Sequence, residues 1–156
     1  MKKVTIIVPV YNVQQYLPLC LDSIINQSLP QIEIITVNDA STDDSIKILQ
    51  QYSSKYANIK VINNNKNLGA GICRNIGIQN ASGEFIGFVD GDDWVDLDYY
   101  STLINSIKTN NADVAIASIF DEYNNTISSM ARYAYDKEFS VTGHMGLRLL
   151  TKSNNL

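Results

Sequence analysis

The stretch FIGFVDGDD, residues 85–93, decides how this chain is read. Its first half is apolar and aromatic, and its second half places Asp90, Asp92 and Asp93 within four consecutive positions. A short apolar run bounded by turn residues reads as a strand. Like charges this close repel one another, so the cluster is either a solvated Asp-Gly turn or a place where a cation belongs. An EF-hand loop is excluded, because its acids alternate and close on a glutamate. The spacing suits a hard divalent ion, Mg2+ or Mn2+, which takes one or two carboxylates and completes its shell with water and phosphate.

Outward from that stretch, residues 4–8, 32–37, 59–62 and 113–119 are further short runs rich in β-branched residues. Helical spacing fills the intervals. Leu17, Cys20, Leu21 and Ile24 share a face within residues 15–27, and Pro18 requires the helix to start near residue 17. Ile46, Leu49 and Tyr52 share one within 41–56, where Ser41-Thr42-Asp43-Asp44 resembles a capping box with Asp in place of Glu. Two more helices are expected over 70–80 and 96–109. This alternation predicts an α/β fold: a Rossmann-like, doubly wound, mostly parallel sheet with helices on both faces and right-handed crossovers. After Phe120 the pattern loosens into a polar stretch over 122–129, a strand signal over 130–135 and a short helix signal over 143–150. The expected organisation is a core over 1–120 and, over 121–156, the start of a further region of a longer protein.

With 156 residues, 45% of them hydrophobic, the chain can bury a core of its own. A net charge of −4 argues against general nucleic-acid binding, which needs a basic face. The two cysteines, Cys20 and Cys73, fall in helical patterns and read as free thiols in a reducing, cytoplasmic setting. No apolar run approaches the ~20 residues of a membrane span, and the residues after Met1-Lys2-Lys3 lack the apolar core of a signal peptide.

Ligands of open parallel sheets bind beyond the carboxyl ends of the strands. Four segments lie there: Pro9-Val10-Tyr11-Asn12, Asn38-Asp39-Ala40-Ser41, the Asn-rich loop leading to Gly69-Ala70-Gly71-Ile72-Cys73-Arg74, and Asp90-Gly91-Asp92-Asp93. Each has an ordinary reading beside the functional one. Tyr11 is a core tyrosine or a stacking surface for a planar base. Asp39 is a turn acid or a carboxylate accepting a ligand N–H. Asp43 and Asp44 read as acids favoured by a helix start. The Gly69-x-Gly71 pair has Arg74 where a dinucleotide fingerprint wants Gly or Ala, so classical NAD binding is disfavoured. Arg74 stands in the first turns of a helix, where the dipole disfavours cations, which suggests a guanidinium kept for phosphate.

Taken together, these segments resemble the family 2 glycosyltransferases, which have the GT-A fold. Val8-Pro9-Val10-Tyr11-Asn12 is similar to the family's opening strand and turn, and Val37 to Asp43 to its "VDDGSTD" segment. Cys73-Arg74-Asn75-x-Gly77 resembles "ARNxG", and Gly83 to Asp93 resembles "GEYIxFLDxDD". The likeness runs in order over residues 3–120 and departs from the pattern at Asn38, Ala40 and Cys73. It implies an inverting transferase taking a nucleotide-sugar, most often a UDP-sugar, with Mn2+ or Mg2+. By motif position Pro9 and Tyr11 would line the base, Asp39 would accept the uracil N–H, Arg74 would lie by the nucleotide, Asp90 would approach the ribose and Asp92 would hold the metal. The implied acceptor is a saccharide or a lipid-linked saccharide of bacterial surface polysaccharide, at the cytoplasmic side, with peripheral membrane association left open. The family's late acidic "ED" pair, its general base, has no counterpart after residue 120, nor is there a "QxxRW" segment of processive synthases.

Two other classes compete. A transferase-like scaffold without activity, serving as a binding or interaction module, accommodates the same residues and would show no nucleotide binding. A receiver domain would need an acidic pair after the first strand, and a nucleotidyltransferase a Gly-rich basic loop there, where this chain has Pro9 to Asn12.

Overall fold

The structure, a computed structural model, describes residues 4–117, 120–123 and 126–129. Contacts divide the chain into two units, Met1–Thr102 and Leu103–Leu156. The first holds strand β1 (Val4–Val10), helix α1 (Leu17–Ile25), β2 (Ile32–Asn38), α2 (Ser45–Lys55), β3 (Ile59–Asn63), α3 (Ala70–Asn80) and β4 (Phe85–Phe88). Helix α4 (Tyr99–Asn110) begins in it and runs into the second unit, where β5 (Phe120–Tyr123) pairs antiparallel with β6 (Thr126–Ser129).

The four strands of the first unit form one sheet in the order β3-β2-β1-β4, and every pairing is parallel. Registers run Val4↔Ile32 and Val4↔Phe85 across β1, and Ile34↔Ile59 across β2 and β3. Every residue of β1 and β2 is buried, as expected for central strands covered on both faces. Ile6, Ile7, Ile34 and Ile35 are fully buried, each contributing about 1.5–3 kcal/mol.

Facing follows from the pleat. Ile7 pairs with Ile35 and shares its face, where Ile35 and Val37 pack with Cys73 of α3. A Cβ on Gly77 of α3 would strike the Ile7 side chain, so helix and strand touch at backbone distance. On the opposite face Gly87, paired with Ile6, lies against the ring of Tyr100. At the amino ends of the strands Thr5 Oγ1 donates to the buried Glu33 carboxylate (2.6 Å), and Ser82 N and Oγ donate to the same oxygen (2.8 Å each). That network ties the α3–β4 turn to β1 and β2.

Several expectations need correction. Residues 113–117 are not a strand; Val114 and Ile116 are 70% and 76% exposed, and among the described residues no strand pairs with them. An apolar β-branched run becomes a strand only where a neighbour completes its ladder. The polar stretch 122–129 instead contributes to the β5–β6 hairpin. The expected strand over 85–89 is β4, which lies at one edge of the described sheet with Ile86 and Phe88 40% and 43% exposed. The capping box does not form, since α2 starts at Ser45 behind Asp44 with no side-chain cap. Pro18 does fall in the first turn of α1, as its missing N–H requires. The strand and helix signals over 130–135 and 143–150 lie outside the described residues.

Candidate nucleotide-sugar site

Strand order reverses at β1. The chain moves from β1 through β2 to β3, then returns so that β4 flanks β1 on the other side. Right-handed crossovers then require α3 on the face opposite α1 and α2. In open sheets of this kind ligands bind beyond the carboxyl ends of the strands beside such a reversal. Pro9, Tyr11, Asp39, Asp90 and Asp92 all belong to the ends of β1, β2 and β4 or to the turns that follow them.

Pro9 is buried in β1, beyond the β4 ladder, which ends at Ile7↔Phe88. Tyr11 leaves the strand 47% exposed. Asp39 is joined to β1 by its own amide, which donates to Val10 O at 2.8 Å. Its carboxylate is 2% exposed and accepts from Asn64 Nδ2 (2.7 Å), Leu68 N (2.9 and 3.0 Å) and Gly69 N (2.7 Å). Gly69 has φ 87°, a left-handed value that a side chain resists, and this conformation turns its amide onto Asp39. Desolvation raises the Asp39 carboxyl, but the bonds from Asn64, Leu68, Gly69 and Cys73 outweigh it and hold it below the usual carboxylate value. Asp39 thus ties β2 to the loop over residues 64–69.

Arg74, in the second turn of α3, forms an ion pair with Asp90 at the end of β4. Both side chains remain partly open, 34% and 48% exposed. Asp92 and Asp93 stand exposed on the next turn, which is closed by Asp93 N donating to Asp90 O at 3.0 Å. A Cβ on Gly91 would lie 3.1 Å from Pro9 O and 3.1 Å from Val13, so this turn packs closely against the β1 end. Beneath it the buried Cys20 thiol donates to Asp90 O at 3.5 Å. Burial, with Asp93, Asp92 and Asp90 nearby, pushes that thiol up to about 12, so it stays protonated. Cys73 is likewise free and buried.

As a donor set the turn offers hard carboxylate oxygens only. Among the described residues no three His, Cys, Asp or Glu side chains form a ready cage. Asp92 and Asp93 would be the carboxylates offered to a divalent ion there, which takes one or two such ligands and completes its shell with water and phosphate. The geometry joins Arg74 to Asp90 directly and Tyr11 to Asp39 through backbone, whereas the Asp39 carboxylate faces the chain's own amides. Sequence reasoning missed Asn64, Leu68 and Gly69 as partners of Asp39, and Cys20 under the acidic turn. The Asn-rich loop ending in Gly69 was the available signal, since backbone amides turned by glycine gather around acids.

The chain matches the profile of Glycosyl transferase family 2 over residues 5–154. It belongs to that family. Glycosyltransferase GlyA of Streptococcus pneumoniae serotype 4 is 46% identical over 118 residues, which cover 76% of this chain and 17% of GlyA. The structure of S. aureus TarS 1–349 in complex with UDP superposes with a TM-score of 0.65 at 34% identity, covering 70% of this chain and 33% of TarS 1–349. The mannosyltransferase PcManGT of Pyrobaculum calidifontis, in complex with GDP-Man and Mn2+, gives a TM-score of 0.56 at 26% identity, covering 59% of this chain and 28% of that one. The fold is therefore GT-A, and the chain spans well under half the length of these three relatives.

Proposed function

We propose that this chain carries the donor site of an inverting, metal-dependent glycosyltransferase that moves a sugar from a UDP-sugar to an acceptor hydroxyl. The observation that supports the reading is that the turn following the Arg74–Asp90 pair lies against Pro9 at the end of β1, to which Asp39 is also bonded through Val10 O. In this reading Pro9 and Tyr11 border the base, and Tyr11 offers its exposed ring for stacking. Asp39 takes the base N–H in exchange for one of its loop amides. Arg74 turns from Asp90 to the diphosphate, and Asp90 is freed toward the ribose. Asp92 holds Mn2+ or Mg2+, which supplies Lewis-acid stabilisation of the departing diphosphate when bound. The UDP complex of TarS and the GDP-Man and Mn2+ complex of PcManGT support a nucleotide-sugar donor and a divalent ion by likeness.

Sugar transfer also needs a general base on the acceptor side. The proposal assigns that role to no residue of this sequence, and takes residues 1–120 as the donor part and 121–156 as the beginning of the acceptor side. The acceptor is a saccharide or lipid-linked saccharide, met at the cytoplasmic face of a membrane. No helix of the described residues is long and apolar enough to cross a membrane.

Calorimetric titration with UDP, with and without Mn2+, tests the reading. Saturable binding that requires the metal and is lost in Asp92→Ala is expected. A folded chain that binds no UDP under either condition would sink it and favour a non-catalytic interaction module.

A further inference from the structure

The loops after β1 and β2 are zipped together by reciprocal hydrogen bonds. Asn12 N donates to Ser41 Oγ (3.1 Å), and Asn12 Oδ1 accepts from Thr42 N (2.8 Å) and Thr42 Oγ1 (3.3 Å). Val13 N donates to Ser45 Oγ (3.2 Å), Gln14 N to Asp43 Oδ2 (3.0 Å), and Asp44 N to Gln14 Oε1 (2.8 Å). Asp43 Oδ1 also accepts from Ser45 N at 2.9 Å. Ser41 and Asp43 thus bond across the loops, and Asp43 also accepts from the first amide of α2.

The zipper starts beside the two base-facing residues. Tyr11 precedes Asn12, which has φ 54°, and Asp39 precedes Ala40, which has φ 58°. Both left-handed positions turn the chain sharply after a residue that the donor reading assigns to the nucleobase. Asn tolerates that conformation because its short amide bonds locally, and here the amide bonds the opposite loop. The two turns are therefore fixed against each other and not only within themselves.

Resting on the donor-site reading above, we infer that Asn12, with Ser41 and Thr42 as its partners, is a positioning residue. It sets the place of the Tyr11 ring relative to Asp39 and thereby the affinity for the nucleobase end of the donor. Asn12 does not touch the ligand. It acts through Tyr11, so its influence is confined to the base and does not extend to the diphosphate held near Arg74 and Asp92.

The test is calorimetry with Mn2+ on the whole chain, with UDP and inorganic diphosphate as separate probes. Asn12→Gly keeps the left-handed turn but removes the acceptor. It should weaken UDP binding by about tenfold, the loss of roughly one or two hydrogen bonds. Diphosphate affinity should stay within about twofold, and in a Tyr11→Ala background Asn12→Gly should add less than about twofold. Asn12→Asp, which keeps both the turn and the acceptor oxygen, should restore UDP binding. Ser41→Ala, which removes the acceptor for Asn12 N, gives a second approach if Asn12→Gly does not fold, and should show the same split. Equal weakening of UDP and diphosphate, additivity with Tyr11→Ala, or no rescue by Asp would overturn the inference. Unchanged UDP binding in Asn12→Gly, with the unsubstituted chain binding normally, overturns it alone. Failure of the unsubstituted chain to bind UDP overturns the donor reading beneath it.

Discussion

Ala40 holds φ 58°, a left-handed conformation that costs an L-residue about 1–2 kcal/mol. The family segment that residues 37–43 resemble carries glycine there. Ala40→Gly removes the strain and gives back about 0.4–1 kcal/mol through the freer unfolded chain. The expected net effect is stabilisation by about 0.5–1 kcal/mol, read as a rise in the urea midpoint. A fall would show that the Ala40 methyl makes packing contacts worth more than the strain. The same bend turns the chain away immediately after Asp39, so a residue outside the binding site carries part of the conformational cost of shaping it.

At the scale of elements, the contact of α3 with β1 is set by the absence of a side chain at Gly77. Gly77→Ala would gain up to ~1 kcal/mol of helix propensity but drive a methyl into Ile7, and overpacking costs about 1–3 kcal/mol. Net destabilisation is expected in urea unfolding, and a companion Ile7→Ala should recover part of it by making room. The elements were legible where both periodicity and partner were local or obligatory. Leu17, Cys20, Leu21 and Ile24 recur at helical spacing and are all buried in α1. Val4 to Val8 reads as strand from its apolar, β-branched run, and β1 continues past the expected stop at Pro9 to Val10. Legibility failed where a distant partner decided the outcome. Val114 and Ile116 have strand chemistry but no described strand beside them, while Phe120–Tyr123 becomes one because Thr126–Ser129 pairs with it. Asn124-Asn125, a turn-favouring pair between the two, was the neglected hairpin signal. In the site, the residue types at four strand ends were legible. Hidden from sequence were the use of Asp39 by the amides of Leu68 and Gly69 and of Asp43 by Gln14, because both bonds cross about thirty positions of chain.

For the molecule as a whole, those same two carboxylates govern response to acid. Burial raises both Asp39 and Asp43, yet the donors around them prevail and hold both below their ordinary value of 3.8. A carboxyl whose value is lowered by folding adds stability that is complete above the unfolded value and disappears as pH falls through the folded one. The urea midpoint should therefore vary little for this reason between about pH 7 and 5 and drop below about pH 4, and Asp43→Asn should make that drop shallower. An unaltered acid limb in Asp43→Asn would assign the sensitivity to other groups. The strand order β3-β2-β1-β4 has a consequence for the protein as it leaves the ribosome. Residues 32–63 can pair beside β1 as soon as they emerge, but the other edge of β1 waits for Phe85–Phe88. Throughout that interval the nascent chain exposes an apolar strand with unsatisfied amides and carbonyls, a template for pairing with the wrong chain. The strand that ends the exposure also brings Asp90 and Asp92, so during translation the edge is sealed and the acidic turn is delivered in a single event.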